Sequence, residues 1–161
     1  MYYQTTYHSP IGLLTLAATK NTLVGLWIEG QKYFAAGYSQ LTPCSEPLPV
    51  FCEVNTWLDD YFAGKQPDPN TLPIVPRGSC FQQQVWRLLL QIPYGKTVTY
   101  GDIARAVGCR SAQAVGGAVG RNPISIIIPC HRVLGSNGSL TGYAGGEERK
   151  RWLLQQEGII L

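Results

Sequence analysis

Apolar and polar positions divide this chain into two stretches with different periods. Tyr2 to Tyr7, Leu13 to Thr19 and Leu23 to Ile28 are short segments rich in β-branched and aromatic residues. The turn-forming runs His8-Ser9-Pro10-Ile11-Gly12 and Lys20-Asn21 separate them, so the pattern predicts three strands. Over residues 50–63 the period lengthens, and Phe51, Val54, Leu58, Tyr61 and Phe62 fall on one helical stripe. Seven of the eleven prolines lie between Pro43 and Pro76. The stretch Gly64 to Gly78, with Pro67, Pro69, Pro73 and Pro76, reads as an inter-domain linker. The expected domains are therefore 1–75 and 76–161.

The second stretch reads as helices. Ser79-x-x-Gln82 has the form of a capping box, Phe81, Val85, Leu88, Leu89 and Ile92 follow at helical spacing, and Pro93-Tyr94-Gly95 stops the run. Thr99-x-x-Asp102 opens another helix that ends at Gly108. Only Gly108-Cys109-Arg110 precedes the next start at Ser111, the spacing of a helix-turn-helix, although an ordinary helical corner has the same spacing. Residues 112–120, Ala-Gln-Ala-Val-Gly-Gly-Ala-Val-Gly, hold three glycines, each costing about 1 kcal/mol relative to Ala inside a helix. Such a helix has almost no side chains with which to read base edges. It suits either tight helix packing or close backbone approach to an extended surface, flanked by Arg110 and Arg121. The apolar run Ile124-Ser125-Ile126-Ile127-Ile128 reads as a buried strand. Asn137-Gly138 marks a hairpin turn, Thr141 to Gly146 a flexible loop, and a last helix from Glu147 to Glu157-Gly158 is expected to bury Trp152, Leu153 and Leu154.

Charge sharpens the division. Residues 1–75 carry three basic residues against six acidic ones, a balance of −3, whereas residues 76–161 carry ten against four, a balance of +6. A polyanion partner for the second half follows. No apolar run approaches the roughly 20 residues that span a bilayer, and the start has no signal-peptide pattern, so no membrane partner and a cytoplasmic location are expected. The five cysteines form no regular framework, which favours a reducing compartment, and no Cys-x-x-Cys pair exists. With His8 and His131 the only histidines, no metal site and no cofactor are expected.

The chemistry concentrates in Pro129-Cys130-His131-Arg132. Pro129 cannot donate to a ladder and turns the chain. A cysteine beside His and Arg is expected to have a lowered pKa and a nucleophilic thiolate. The alternative is a small buried hydrophobe. A papain-like pairing fits poorly, because no histidine follows His131 and adjacent side chains diverge along an extended segment.

Asn122-Pro123, the apolar run, Pro129-Cys130-His131-Arg132-Val133, Gly142-Tyr143-Ala144-Gly145-Gly146 and Trp152-Leu153-Leu154 with Glu157-Gly158 together resemble one family. It is that of the O6-alkylguanine-DNA alkyltransferases, or methylated-DNA–protein-cysteine methyltransferases. The resemblance spans residues 80–161 in order and spacing, and residues 1–75 are more loosely similar to that family's ribonuclease H-like domain. It implies an α/β N-terminal ribonuclease H-like domain and a mostly α C-terminal winged-helix (helix-turn-helix) domain. It implies DNA repair by a monomer: single-turnover, irreversible transfer of an alkyl group from O6-alkylguanine, and O4-alkylthymine, in double-stranded DNA to Cys130.

The resemblance also implies the roles of individual residues. Glu157 orients His131, which deprotonates Cys130 through a water; Asn122 holds the turn that presents the cysteine; Tyr100 assists the leaving base. The carbonyls of Cys130 and Val133 read the exocyclic amine, while Ser136, Tyr143 and Ala144 line or close the pocket. Ala114 and its small neighbours enter the minor groove, and Arg110 and Arg121 meet phosphates. Gln113 stands where many members have the arginine that replaces the extruded base.

Overall fold

A computed structural model describes all of residues 1–161. The chain forms two compact units, Met1–Arg77 with Pro123–Ser125, and Gly78–Asn122 with Ile126–Leu161. No helix is long and apolar enough to cross a membrane.

In the first unit, strands β1 (Tyr3–Ser9), β2 (Gly12–Ala18), β3 (Leu23–Ile28) and β4 (Thr42–Pro43) form one sheet in the order β3-β2-β1-β4. β1 and β2 pair antiparallel from Tyr3↔Ala18 to Ser9↔Gly12, as the alternating pattern and tight Pro10-Ile11 connection require. β4, only two residues long and containing Pro43, adds parallel to β1 and carries too little pattern to be seen in sequence. β3 is buried along its whole length, which is why its sequence is a continuous apolar run. Its glycine is sterically required: a Cβ on Gly25 would lie 2.1 Å from the Trp27 ring, which folds back over that position. Helix α1 (Pro49–Phe62) packs on β1 and β2 through Val50, Phe51, Val54, Trp57, Leu58 and Tyr61.

Two features depart from the sequence expectation. The proline-rich stretch 64–78 is not a slack connector, because Ile74 bridges Leu23, and Arg77 sits 4.9 Å from the Tyr38 ring centroid and donates to the Gly37 carbonyl. The run Ile124–Ile128 is not a strand. Ile124 makes a single bridge to Leu26; the chain then turns, and Ile126 has φ +72°. A left-handed residue cannot continue a ladder, and burial rather than strand pairing explains the apolar run.

The second unit contains α2 (Cys80–Leu89), β5 (Val98–Thr99), α3 (Tyr100–Val107), α4 (Ala112–Gly120), β6 (Val133–Leu134) and α5 (Glu147–Gln156). Both capping boxes form: Ser79 with Gln82 opens α2, and Thr99 with Asp102 opens α3. Ser111 caps α4 by accepting from the Ala114 N–H at 3.0 Å. Such a cap is worth about 1 kcal/mol, so each start is set locally by sequence. The three helices pack on one another around Val85, Trp86, Leu89, Ile103, Val115, Ala118 and Val119. Trp86 ties two of them directly, its indole N–H donating to the Ala118 carbonyl at 2.9 Å. β5 and β6 pair in parallel, and α5 packs against the turn at Cys130–Arg132. The tight turn signalled by Asn137-Gly138 closes through the Gly135 N–H to the Ser139 carbonyl at 2.9 Å. Trp152, expected in the core, is only half-buried; Lys150 takes the buried position instead.

Candidate active site

The segment that carries the cysteine is folded by its own polar groups. Asn122, buried just after α4, donates from Nδ2 to the Ile128 carbonyl at 2.7 Å. This closes a loop over the left-handed Ile126, a β-branched residue in a backbone region that costs roughly 1–3 kcal/mol. Pro129 then leads into a short 3₁₀ turn, Cys130–Arg132, instead of an extended strand. In that turn, consecutive side chains point to different neighbours.

Cys130 is 3% exposed, and its sulfur accepts from Asn122 Nδ2 at 3.2 Å. Burial pushes the thiol above its ordinary range, while the Asn122 bond and the Lys150 charge pull it down. The lowered pKa expected from adjacent His and Arg is therefore not what the fold provides. Desolvation outweighs both, because His131 and Arg132 direct their polar groups to Glu157.

His131 Nε2 lies 2.7 Å from Glu157 Oε2, with both side chains fully buried. Burial would raise the Glu157 carboxyl, but its bonds and charge contacts with His131 and Arg132 bring it down to about 2. As a carboxylate it can only accept, so His131 Nε2 carries the proton and Nδ1 is the basic nitrogen. Burial holds His131 below its usual pKa; Glu157 raises it, and Arg132 and Lys150 lower it.

Two further residues belong to this cluster: Arg132, which the sequence motif names beside the cysteine but without its partner, and Lys150, which sequence reasoning missed. Arg132 donates from Nε to Glu157 Oε1 at 2.8 Å and from Nη2 to Oε2 at 3.1 Å. Lys150 is fully buried, donates to the Val133 carbonyl, and lies 5.9 Å from the Tyr100 ring centroid. Burial lowers its ammonium to about 8, against the Cys130 and Glu147 charges that raise it. Lys150, Leu153, Leu154 and Glu157 share one face at spacings of three, four and seven, so helical periodicity carried the signal.

The remaining expected residues fall into two groups. Tyr100 starts α3 and donates to the Thr141 carbonyl at 3.0 Å; burial, and then Cys130, lift its phenol to about 12. Gly142 is needed beside it, because its φ is +91° and a Cβ would lie 2.6 Å from the Tyr100 oxygen. Tyr143 is buried, and its phenol is raised by burial and then by the Cys130 charge. Ala144 is half-buried. Val133 is buried, and its carbonyl already accepts from Lys150, as the Cys130 carbonyl does from the Val133 N–H. Each keeps a second lone pair. Arg110, Gln113, Ala114, Arg121 and Ser136 are exposed, unlike the buried Cys130. On α4, a Cβ built on Gly116 or Gly117 would meet nothing within 4 Å, so packing inside the protein does not require glycine there. No group of three or more His, Cys, Asp or Glu side chains is placed to hold a metal ion.

Comparison with known proteins adds an independent finding. Residues 80–159 match the family model described as the 6-O-methylguanine DNA methyltransferase DNA-binding domain, and residues 1–76 match that family's ribonuclease-like domain. The methylated-DNA–protein-cysteine methyltransferase of Haemophilus influenzae is 42% identical over 158 residues, covering 98% of this chain and 87% of the relative. The crystal structure of Mycobacterium tuberculosis O6-methylguanine methyltransferase has a TM-score of 0.85 at 45% identity, covering 98% and 93% of the two chains. The structure of the M. tuberculosis protein OGT in complex with DNA has a TM-score of 0.83, covering 97% and 91%.

Proposed function

The chain belongs to the 6-O-methylguanine DNA methyltransferase family, with a ribonuclease-like domain and a helical DNA-binding domain, and on that premise we propose that Cys130 is its alkyl acceptor. The reaction is displacement at the alkyl carbon of O6-alkylguanine, and of O4-alkylthymine by the same chemistry. The Cys130 sulfur–carbon bond forms as the carbon–oxygen bond to the base breaks. The thiol proton passes to His131 Nδ1 through a water, the Tyr100 phenol gives a proton to the departing base, and the proton held by His131 returns to the phenol through solvent, so the base leaves neutral and one proton is transferred in all. The thioether has no route back, so each molecule acts once and no cofactor is consumed.

The observation that carries this reading is the contiguous set Asn122–Cys130–His131–Glu157, linked by hydrogen bonds at its two ends. Asn122 and Lys150 face the sulfur and would stabilise the thiolate as it forms. Because the thiol rests protonated, the relay must remove its proton at the moment of reaction; the nucleophile is not kept charged in waiting. Tyr100 would meet the leaving base with its phenol. Tyr143, Ala144 and Ser136 belong to the loops beyond Val133 and would close over it. The lesion reaches a buried sulfur only by leaving the stack, at a cost of a few kcal/mol.

Residues 76–161 are read as a winged-helix variety, with α3 and α4 as its helix-turn-helix and β5–β6 as a reduced sheet. The outward face of α4 would meet the minor groove, with Arg110 and Arg121 on phosphates and Gln113 filling the gap left by the extruded base. The open space outside Gly116 and Gly117 supports this reading, since no neighbour within the protein uses it. Residues 1–75 form the scaffold domain. The uneven cysteine spacing suits a reducing compartment, and the protein is read as a cytoplasmic monomer.

The test is intact-mass measurement after mixing with a duplex that contains one O6-methylguanine. One methyl group should be gained per molecule, mapped to Cys130, with no added cofactor. Methylation at Cys44, Cys52, Cys80 or Cys109, or turnover beyond one equivalent, would overturn the assignment.

A further inference from the structure

Arg132 is 7% exposed, an expensive environment for a guanidinium unless its donors are matched. They are matched with unusual completeness. Nε and Nη2 make a two-pronged contact with Glu157, and Nη1 donates to the Ile92 carbonyl at 2.7 Å. The guanidinium also lies 5.7 Å from the Tyr94 ring centroid. The Gly95 N–H donates to the same Glu157 Oε1 at 3.1 Å. A carboxylate held by a fork cannot rotate without breaking both prongs. The fork therefore decides where Oε2 stands relative to the His131 ring.

We propose that Arg132 is a positioning residue for alkyl transfer: by gripping Glu157 it fixes the His131 tautomer and keeps the imidazole uncharged until it takes the Cys130 proton. This rests on His131 being the base, as read above. The charged groups facing His131 are Glu157 and Lys150 from the last helix and its C-cap, and Arg132 from its own turn. Tyr94 faces the Glu157–Arg132 side of the cluster. Burial is the larger force that keeps His131 uncharged; Glu157 pulls the other way, toward an imidazolium, which can accept nothing. The Arg132 charge opposes that pull while leaving the Nε2–H···Oε2 bond in place. Lysine cannot substitute fully, since a single ammonium has no planar fork.

The experiment measures alkyl transfer from free O6-benzylguanine, without DNA, between about pH 4 and 9, a range that extends well below an ordinary histidine because burial lowers His131. His131 is followed by nitrogen-resolved NMR, with His8→Gln removing the only other histidine. In the wild type, transfer should fall on the acid side as His131 titrates. Arg132→Gln should move both the acid limb and the NMR titration up by about one unit or more. Arg132→Lys should hold the limb near its wild-type position, lower the plateau about tenfold, and mix the two tautomers. A wild-type limb and titration left in place by Arg132→Gln, with rates lowered equally at every pH, would overturn the proposal alone. A wild-type profile with no acid limb would overturn the reading of His131, and the proposal with it. If Arg132→Gln does not fold, Arg132→Lys is measured with and without Glu157→Gln. Its effect should vanish once Glu157 is gone; an undiminished loss would overturn the proposal.

Discussion

The Cys130 sulfur accepts a hydrogen bond from the Asn122 amide at 3.2 Å, and that same Nδ2 donates to the Ile128 carbonyl at 2.7 Å. One side-chain nitrogen thus fixes both the backbone of the loop and the orientation of the cysteine sulfur. Asn122→Ala should lower stability by about 1 kcal/mol, because the buried Ile128 carbonyl loses one of its two donors and keeps only the Cys130 N–H. It should also lower the rate of alkyl transfer more than tenfold. Denaturant unfolding and single-turnover kinetics measure the two effects separately; a wild-type rate in a destabilised variant would reduce Asn122 to a structural role.

Resting thiol reactivity should run opposite to the expectation that neighbouring cations make Cys130 the fastest thiol. Cys130 is buried with a raised pKa, whereas Cys52 and Cys80 are exposed. At neutral pH iodoacetamide should label Cys52 and Cys80 first and Cys130 last, as peptide mapping over time would read. Early labelling of Cys130 would mean that the charged form is populated before substrate arrives.

Stability should fall in acid in two stages. His131 is held below its ordinary pKa, so protonating it favours the unfolded chain as pH drops below about 6.5. Glu157 is lowered from 4.5 to about 2, so its contribution is complete above about 4.5 and is lost as pH falls through about 2. That difference is worth roughly 3 kcal/mol. Glu157→Gln should remove the lower stage, read as the unfolding free energy against pH. An unchanged slope between about pH 4.5 and 2 would contradict the coupling.

The outer face of α4 should be separable from folding. Gly117→Ala should raise stability by about 0.5–1 kcal/mol, because the new methyl meets nothing and the helix gains propensity. Gly117→Glu or Ala114→Glu should fold normally and react with free O6-benzylguanine at the wild-type rate, yet lose affinity for duplex DNA. Arg110→Ala or Arg121→Ala should weaken binding equally across sequences and flatten its salt dependence. Gln113→Arg should speed transfer from duplex but not from the free base. Thermal melts, DNA titrations and the two substrates together check these outcomes.

The elements that were legible in sequence are those specified by neighbours along the chain. Strands β1 to β3, α1, both capping boxes and the Ser111 cap follow from local pattern and hydrogen bonding. The misread parts depend on distant contacts. Ile124 to Ile128 has the apolarity of a strand, but its path is set by Asn122 and by the left-handed Ile126, which composition does not announce. The Cys130 thiol departs from the sequence expectation because adjacency along the chain is not adjacency of charge. The 3₁₀ turn sends His131 and Arg132 to Glu157, a residue 26 and 25 positions away. Lys150 was hidden by its type: a lysine within Arg149-Lys150-Arg151 reads as surface until its alignment with Leu153, Leu154 and Glu157 is counted.

The vacant space outside Gly116 and Gly117 has a practical corollary. A face that holds nothing of its own molecule together is a face that can be rewritten. Libraries randomised at residues 112, 113, 114, 116 and 117 would sample new nucleic-acid contacts on an unchanged chassis. The cluster of Asn122, Cys130, His131, Arg132 and Glu157, anchored by buried bonds elsewhere in the second unit, would stay constant through the whole set. Differences among such variants would then report recognition alone, uncontaminated by chemistry.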